Sequence, residues 1–328
     1  VLQDSVRIAA PDTKLVEALR EEVLLRDLRL STAGSHSTEA QESAFRRYGE
    51  HQARRVLTQL DRDPDSPTYG CFDRNHWHYK IRDFRSSILQ QGLFLLEGLH
   101  RGDLALGAEP RLAREWALAA INALSRQVDR AGGVDEYYPY ERSFPASAFG
   151  LYSACRVLRD WQDEGSALLE RVEWAGLARL AGNLALRSEL QASNQYAAAV
   201  AGLALAADLS PLGIESGVAR FHAGQLLDSQ REEGWFDEYG GPDFGYLTVT
   251  LDALVDYFEV TADERASAAI DRAVDFLADL VGPDGELPWT LNSRNTDYVV
   301  PYGLVRTATR NPRAAWLVST LFGRLGDP

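Results

Sequence analysis

The sequence predicts an all-α fold built from helical hairpins, and three observations support this prediction. Apolar residues recur at the helical period of 3.6 along nearly the whole chain. Acidic and aromatic residues return at a near-fixed interval, because Asp135-Glu136-Tyr137 precedes Asp237-Glu238-Tyr239 by about 102 residues. Short and long links alternate between the candidate helices. A repeat of about 50 residues with helices between the loops is typical of stacked helix pairs.

The hydrophobic pattern predicts twelve helices in six pairs. They lie near 12–30, 40–61, 83–101, 109–129, 144–163, 166–187, 195–209, 213–231, 245–261, 263–281, 300–310 and 311–325. Six hairpins that close on themselves make an (α/α)6 toroid, whereas an incomplete set leaves an open one. We predict a single toroid domain over 1–328, with allowance for an irregular first helix pair at about 1–61.

Residue spacing distinguishes these helices from strands. Leu89, Leu93 and Leu96 fall on one helical face, and small residues around Gly202 indicate tight helix contacts. The run 247–251 alternates like a strand, but its apolar continuation to 258 favours a helix.

The links between the helices predict where the functional face lies. Short links fall near 102–108, 163–165, 209–212, 261–263 and 310–312, and long links near 62–82, 130–143, 188–194, 232–244 and 282–299. In a chain of hairpins this alternation places all long links at one end. We therefore expect the function at that end.

Composition narrows the classes of function. The net charge is −14, so nucleic-acid binding is not expected without a basic face. No apolar run is long enough for a membrane span, and no export signal opens the chain. Two distant cysteines suit a reducing compartment, so we predict a cytoplasmic protein. A small-molecule or oligosaccharide substrate is expected, with no cofactor and no metal; the oligomeric state is left open.

The long links carry residues suited to a sugar. Aromatic rings stack on the apolar faces of sugars, and carboxylates accept hydrogen bonds from hydroxyl groups. The candidate catalytic residues in these links are His76, His78, Asp135, Glu136, Asp237 and Glu238. The candidate substrate-binding residues are Trp77, Lys80, Tyr137, Tyr138, Arg142, Trp235, Trp289, Arg294 and Asn295.

Two segments resemble a family of polysaccharide lyases. Ala192-Ser193-Asn194-Gln195-Tyr196 opens an Ala-rich helix, and the segment 238–246 carries Gly and Tyr residues. Both are similar to segments of heparinase II/III-like and alginate-lyase-like toroid proteins, over roughly 70–300. The resemblance implies that Asn194 neutralises a uronate carboxylate while Tyr246 or Tyr239 transfers the C5 proton. Gln195 stands where the family often has His, so it is assigned to substrate binding.

A second segment resembles another toroid family. The stretch 226–235, with Gln230 and Gly234-Trp235, is similar to the Gln-Trp repeat of squalene-cyclase-like proteins.

The leading hypothesis for the function is a carbohydrate-active enzyme of the lyase, C5-epimerase or glycoside-hydrolase kind. The alternative is a terpenoid cyclase or related isoprenoid enzyme. A third hypothesis is a non-catalytic glycan-binding protein.

Overall fold

Five helical hairpins make up most of the chain that the structure describes. The computed structural model describes residues 49–104, 106–107, 109–288, 290–291 and 298–322. All of these belong to one compact unit, Ala40–Pro328. The predicted helix at 12–30 lies outside the described residues, as does part of the one at 40–61. The single domain over 1–328 therefore stays a prediction.

The helices are numbered in chain order. The first half contains α1 at 49–57, α2 at Arg74–Trp77, α3 at Leu93–Arg101, α4 at Pro110–Gln127, α5 at Phe144–Asp163 and α6 at Trp174–Leu184. The second half contains α7 at Ser193–Ala207, α8 at Ser216–Asp228, α9 at Phe244–Thr261, α10 at Glu264–Leu280, α11 at Tyr302–Ala308 and α12 at Pro312–Phe322. Short 3₁₀ segments precede three of them, at Ser87–Gly92, Ala167–Arg171 and Ser210–Leu212.

These elements confirm the predicted all-α class. The described residues contain no strand, only one isolated bridge between Ala192 and Glu238. None of the helices within the described ranges is long and apolar enough to cross a membrane.

Local signals in the sequence set several helix ends. Ser143 begins α5 by accepting a hydrogen bond from the backbone N of Ala146, and Asp243 begins α9 by accepting one from Tyr246. Gly102 ends α3 in the left-handed conformation, with a φ of 78°. Such caps satisfy backbone groups that have no partner inside the helix.

The hairpins stack in two layers. The inner layer contains the 87–92 turn with α3, then α5, α7, α9 and α11, and each packs against the next. The outer layer contains α4, α6, α8, α10 and α12, and each packs against the inner helix of its own hairpin. In the middle of the inner layer, every residue of α7 from Tyr196 to Ala206 is buried. That explains why this helix is apolar on all sides.

One turn recurs in the links that follow outer helices. Its first residue donates a backbone hydrogen bond to the carbonyl oxygen four residues later, at 2.9 Å in each case. The pairs are Asp129–Gly133, Arg231–Trp235 and Gly282–Glu286. The fourth residue is a glycine with positive φ, namely Gly132, Gly234 or Gly285. The turns begin at 129, 231 and 282, so the interval seen in the sequence is also a structural repeat.

The long links lie together at one end of the layers. The links 128–143, 185–192, 229–243 and 281–301 each join an outer helix to the next inner helix, and 58–86 leads into the 87–92 turn. The inner helices therefore all begin at this end, which we call the loop face. The links 102–109, 164–173, 208–215, 262–263 and 309–311 occupy the opposite end. The predicted alternation in length is incomplete, because 185–192 is no longer than 208–215 and is shorter than 164–173, which contains a 3₁₀ segment.

A buried polar network joins three inner helices. Asp256 of α9 is 2% exposed and accepts hydrogen bonds from the hydroxyls of Tyr152, at 2.6 Å, and Tyr302, at 2.7 Å. Arg156 of α5 pairs with the same carboxylate at 3.1 Å. One turn earlier, Asp252 accepts from a backbone N–H of α11, and burial raises the pKa of Asp252 to about 8. Charged and hydroxyl groups thus occupy the space between α5, α9 and α11.

Two predicted helices are shorter than expected. The predicted helix 83–101 opens with the 3₁₀ segment Ser87–Gly92, where the side-chain amide of Gln90 donates to the carbonyls of Gly70 and Ala120. The predicted helix 166–187 likewise opens with a 3₁₀ segment. In both segments the 3₁₀ turn replaces the predicted α-helix where residues distant in the chain make hydrogen bonds to it. The predicted long link 62–82 also contains the one-turn helix α2.

We predict that Gly234→Ala destabilises the protein by more than about 1–3 kcal/mol. Gly234 has a φ of 104°, and a Cβ atom there would collide with the carbonyl oxygen of Arg272 on α10. Gly224→Ala is the matched control, because that helical glycine has open space around its Cβ position. The control is expected to stabilise α8 by up to ~1 kcal/mol. Urea unfolding measures both; equal effects from the two variants contradict the prediction.

Candidate functional site

The link 229–243 is fastened to the first turn of α7. The backbone N and the Oγ of Ser193 both donate to the carbonyl oxygen of Asp237, at 3.2 and 2.9 Å. The backbone N of Tyr239 donates to the carbonyl of Gln191 at 2.7 Å. The first N–H groups of a helix have no partner within it, so they are available to hold an incoming segment. Here they fix the position of Glu238.

Glu238 is the buried carboxyl group at the start of α7. Its side chain accepts two hydrogen bonds from Asn194, at 2.6 Å from the backbone N and at 2.7 Å from Nδ2, and it is 3% exposed. Burial raises the pKa of Glu238 to about 8; the charges of Asp243 and Asp237 act in the same direction, while both bonds from Asn194 act against it. Glu238 is therefore mostly protonated at neutral pH.

Two tyrosines and a second carboxylate complete what we call the Glu238 centre, defined as Asn194, Glu238, Asp243, Tyr246 and Tyr298. Asp243 is 1% exposed and caps α9. The rings of Tyr246 and Tyr298 meet edge to face, with 6.1 Å between their centroids. Partial burial raises the pKa of Tyr298, and neighbouring Tyr246, Asp243 and Glu238 raise it further. The centre thus combines a proton donor, hydroxyl groups and a buried carboxylate.

Glu136 is the counterpart of Glu238 two long links earlier in the chain. It is 5% exposed and accepts a hydrogen bond of 2.6 Å from Ser143 Oγ at the start of α5. The link that carries Glu136 is fastened to the 87–92 turn in the same way as the link 229–243 is fastened to α7. The backbone N of Ser87 donates to the carbonyl of Asp135 at 2.8 Å. The two glutamates therefore lie at the starts of neighbouring inner helices, α5 and α7.

The aspartates beside them stabilise their own links. Asp135 accepts from the backbone N of Tyr140 at 2.9 Å. Asp237 accepts from the backbone N of Gly240 at 2.7 Å and pairs with Arg231 at 3.3 Å. Of the four predicted catalytic carboxylates, the glutamates are thus the two buried groups at the helix starts.

The predicted residues of the first link have varied contacts. His76 donates from Nδ1 to a backbone carbonyl of the same link at 3.1 Å, whereas His78 is exposed beside Trp77 with 5.2 Å between ring centroids. Trp77 donates from Nε1 to the carbonyl of Gln59 at 2.7 Å, which ties the link to the chain just after α1. Lys80 is exposed and has a φ of 56°. The structure does not include these residues in the Glu238 centre.

The predicted substrate-binding aromatic residues are partly available to a ligand. Tyr137 and Tyr138 are each 71% exposed on the loop face. Gln195 donates to the hydroxyl of Tyr239 at 3.0 Å beside the Glu238 centre.

Other predicted contacts are structural or not described. Trp235 packs against the core under the Arg231 guanidinium, and Arg142 pairs with Asp129 at 2.6 Å. Trp289, Arg294 and Asn295 lie outside the described residues.

A cleft of about 360 Å³ opens between the links 58–86 and 128–143, and we call it the Arg85 cleft. One wall contains His76, Asp83, Phe84 and Arg85, with Ser87 below them, and the other contains Arg126, Gln127 and Asp135. Arg85 is half-buried, and within the described ranges it makes no hydrogen bond or ion pair. Gln127 accepts from Ser87 at 2.6 Å, while its buried Nε2 has no acceptor among the described residues.

Sequence reasoning missed several of these residues. Asp243 carries a readable signal, because an Asp three residues before Tyr246 at a helix start is a typical cap. Tyr298 and Arg85 carry none, since only the fold brings them beside Glu238 and the 128–143 link.

The described residues contain no group of three side chains suited to hold a metal ion. Comparisons with family models, with curated proteins and with solved structures return no match. The two family resemblances therefore stay predictions.

We predict that Glu238→Gln changes how stability depends on pH. The pKa of Glu238 rises from 4.5 to about 8 on folding, so between these values the folded protein holds a proton that the unfolded chain has released. Wild-type stability therefore falls as pH rises through this window, at up to ~1.4 kcal/mol per pH unit from this group. Glutamine does not titrate, so between pH 5 and pH 9 the unfolding equilibrium of the variant should gain on that of wild type by roughly 10²–10³-fold.

Urea unfolding at both pH values measures this difference. Asp252→Asn should act with the same sign, because the pKa of Asp252 is also raised, from 3.8 to about 8. Glu233→Gln makes the same chemical change at an exposed position of the same link and serves as the control. A Glu238→Gln difference that is equal at pH 5 and pH 9 contradicts the prediction.

Proposed function

We propose that the protein is a carbohydrate-active enzyme that hydrolyses a glycosidic bond in an oligosaccharide, with Glu238 as the general acid. One observation carries the proposal: a carboxyl group buried at a helix start on the loop face, with its pKa raised to about 8. A carboxylic acid that keeps its proton at neutral pH is what protonation of a leaving glycosidic oxygen requires.

A second carboxylate is needed for hydrolysis, and Glu136 is the best candidate. It is buried at the start of α5, next to α7 in the inner layer. A carboxylate opposite the acid either activates water or attacks the sugar directly, depending on the separation between the two groups. Asp135 and Asp237 are weaker candidates, since their oxygens hold their own links together.

Proton abstraction at C5 receives less support from the geometry. The Asn194 amide, which would neutralise a uronate carboxylate, already donates to Glu238. The pKa of Tyr298 is raised, which makes its hydroxyl a weaker source of the phenolate base. Tyr246 and Tyr239 keep a role in this proposal as groups that position the sugar.

The surroundings of the Glu238 centre favour a sugar as substrate. Tyr137, Tyr138 and Tyr140 are 71–89% exposed on the same loop face, where rings can stack on a glycan chain. An isoprenoid cyclase needs an apolar cavity, and the Asp256 network fills the space between α5, α9 and α11 with polar groups. We further propose that the hairpins close into the (α/α)6 toroid, with the first pair as the sixth hairpin.

Oligosaccharide hydrolysis by wild type and Glu238→Gln tests the proposal. The variant should lose at least ~10²-fold in kcat/KM, and wild-type activity should decline as pH rises above 8, where the acid is deprotonated. Glu136→Gln should lose activity as well, whereas the exposed control Glu233→Gln should retain it. Uronate-containing, neutral and prenyl diphosphate substrates are compared.

The products separate the alternatives. Hydrolysis adds water, whereas β-elimination leaves an unsaturated sugar that absorbs ultraviolet light. Unsaturated products would favour the lyase, and turnover of a prenyl diphosphate alone would favour the cyclase. If wild type binds glycans but turns none of them over, the hypothesis of a non-catalytic glycan-binding protein is favoured.

A further inference from the structure

The Arg85 cleft contains hydrogen-bond donors that the protein does not use. Arg85 carries a permanent positive charge, is half-buried, and makes no hydrogen bond or ion pair within the described part of the chain. Gln127 also lines the cleft, but its Nε2 is shielded from solvent, so Arg85 is the donor that a ligand in the cleft can reach. Charged groups that are partly removed from water normally find partners, so a half-buried guanidinium without one on a cleft indicates an acceptor that comes from outside.

Acidic residues of the cleft do not cancel this preference. The Asp135 carboxylate already accepts from the backbone N of Tyr140 and of Arg142. Asp83 is exposed, so water screens its charge. Arg126 is exposed and paired with Glu173 at 2.7 Å, which leaves Arg85 as the unpaired cation of the cleft.

The remaining walls suit a hydroxyl-rich ligand. His76 lines the cleft and donates from Nδ1 to a backbone carbonyl, so in the neutral ring Nε2 is an acceptor for hydroxyl groups. Phe84 offers an aromatic ring and Asp83 an acceptor for hydroxyl groups. A planar guanidinium beside such groups matches a sugar that bears an oxyanion.

The position of the cleft relates it to the Glu238 centre. The cleft lies at the start of the 87–92 turn, and the centre lies at the start of α7, with α5 between them in the inner layer. Packed helix axes lie about 8–10 Å apart, so the two sites are separated by roughly 16–20 Å along the loop face. A single oligosaccharide chain spans such a distance.

We propose that the Arg85 cleft is a subsite that binds an oxyanion substituent of the glycan, with Arg85 as its main donor. The identification of the ligand as a glycan rests on the proposed function. Carboxylate and sulfate ester groups share the required chemistry. The subsite holds the substrate away from the reacting bond, so it contributes to affinity and to the choice of substrate.

Calorimetric titration of the full chain tests this proposal. Three oligosaccharides of equal length are used: one with uronate carboxylates, its carboxyl-reduced neutral counterpart, and a sulfated form of the neutral one. Wild type should bind at least one charged ligand more tightly than the neutral one. Arg85→Gln should weaken binding of that ligand roughly tenfold or more, and change the neutral ligand less than twofold.

Two further variants control for charge and for folding. Arg111→Gln makes the same charge change at the other end of α4, roughly 22 Å from Arg126 at the helical rise, and should have no effect. Arg85→Lys keeps the charge without the planar fork, so it should restore part of the affinity. Because Arg85 makes no hydrogen bond or ion pair with the described residues, its substitution should leave the melting temperature nearly unchanged.

The outcomes separate the subsite from the proposed function. Equal wild-type affinities for charged and neutral ligands, or an Arg85→Gln variant that binds as wild type does, overturn the subsite even if Glu238→Gln abolishes turnover. An Arg85→Gln effect on charged ligands that Arg111→Gln does not share supports the subsite even if Glu238→Gln retains full activity, in which case only the proposed chemistry fails. The charged ligand that responds identifies the substituent as carboxylate or sulfate.

Discussion

The structure depends on how the unpaired N–H groups at the starts of the inner helices are satisfied. The first turn of a helix leaves backbone donors without partners, and here the long links supply carbonyl oxygens to them. Ser87 and Ser193 are held in this way by the carbonyls of Asp135 and Asp237. Each such bond fixes a link to the start of a helix, and the glutamate that follows, Glu136 or Glu238, is buried there. The repeat thus stabilises the fold and positions the candidate site with the same contact.

Two buried carboxylates show how differently the fold treats acidic groups. Asp256 receives an Arg156 guanidinium and two tyrosine hydroxyls, so its charge is compensated within the inner layer. Among the residues that the structure describes, Glu238 receives only the two hydrogen bonds from Asn194 and no cation, so burial dominates and its pKa rises. A paired carboxylate joins helices; an unpaired one is suited to proton transfer.

The loop face combines strain with rigidity. Tyr239 and Tyr140 adopt positive φ values of 59° and 66°, which cost energy for residues with a side chain. Backbone hydrogen bonds hold both positions, from Tyr239 to Gln191 and from Tyr140 to Asp135. A backbone held in this way loses little further freedom when a ligand binds, which favours affinity.

The sequence by itself determined the helical class, most helix bounds and the gathering of the long links. The 3.6-residue period of the apolar residues and the caps at Ser143 and Asp243 are local signals. The lengths of the links indicate which helices pair as hairpins. It also singled out Asn194 and Glu238. Only the tertiary structure decided that these two bond to each other, that Asp135 and Asp237 stabilise their links, and that Arg85 is left unpaired. The bonds between Asn194 and Glu238 join residues 44 positions apart, and burial depends on the packing of distant helices, so no local pattern encodes them.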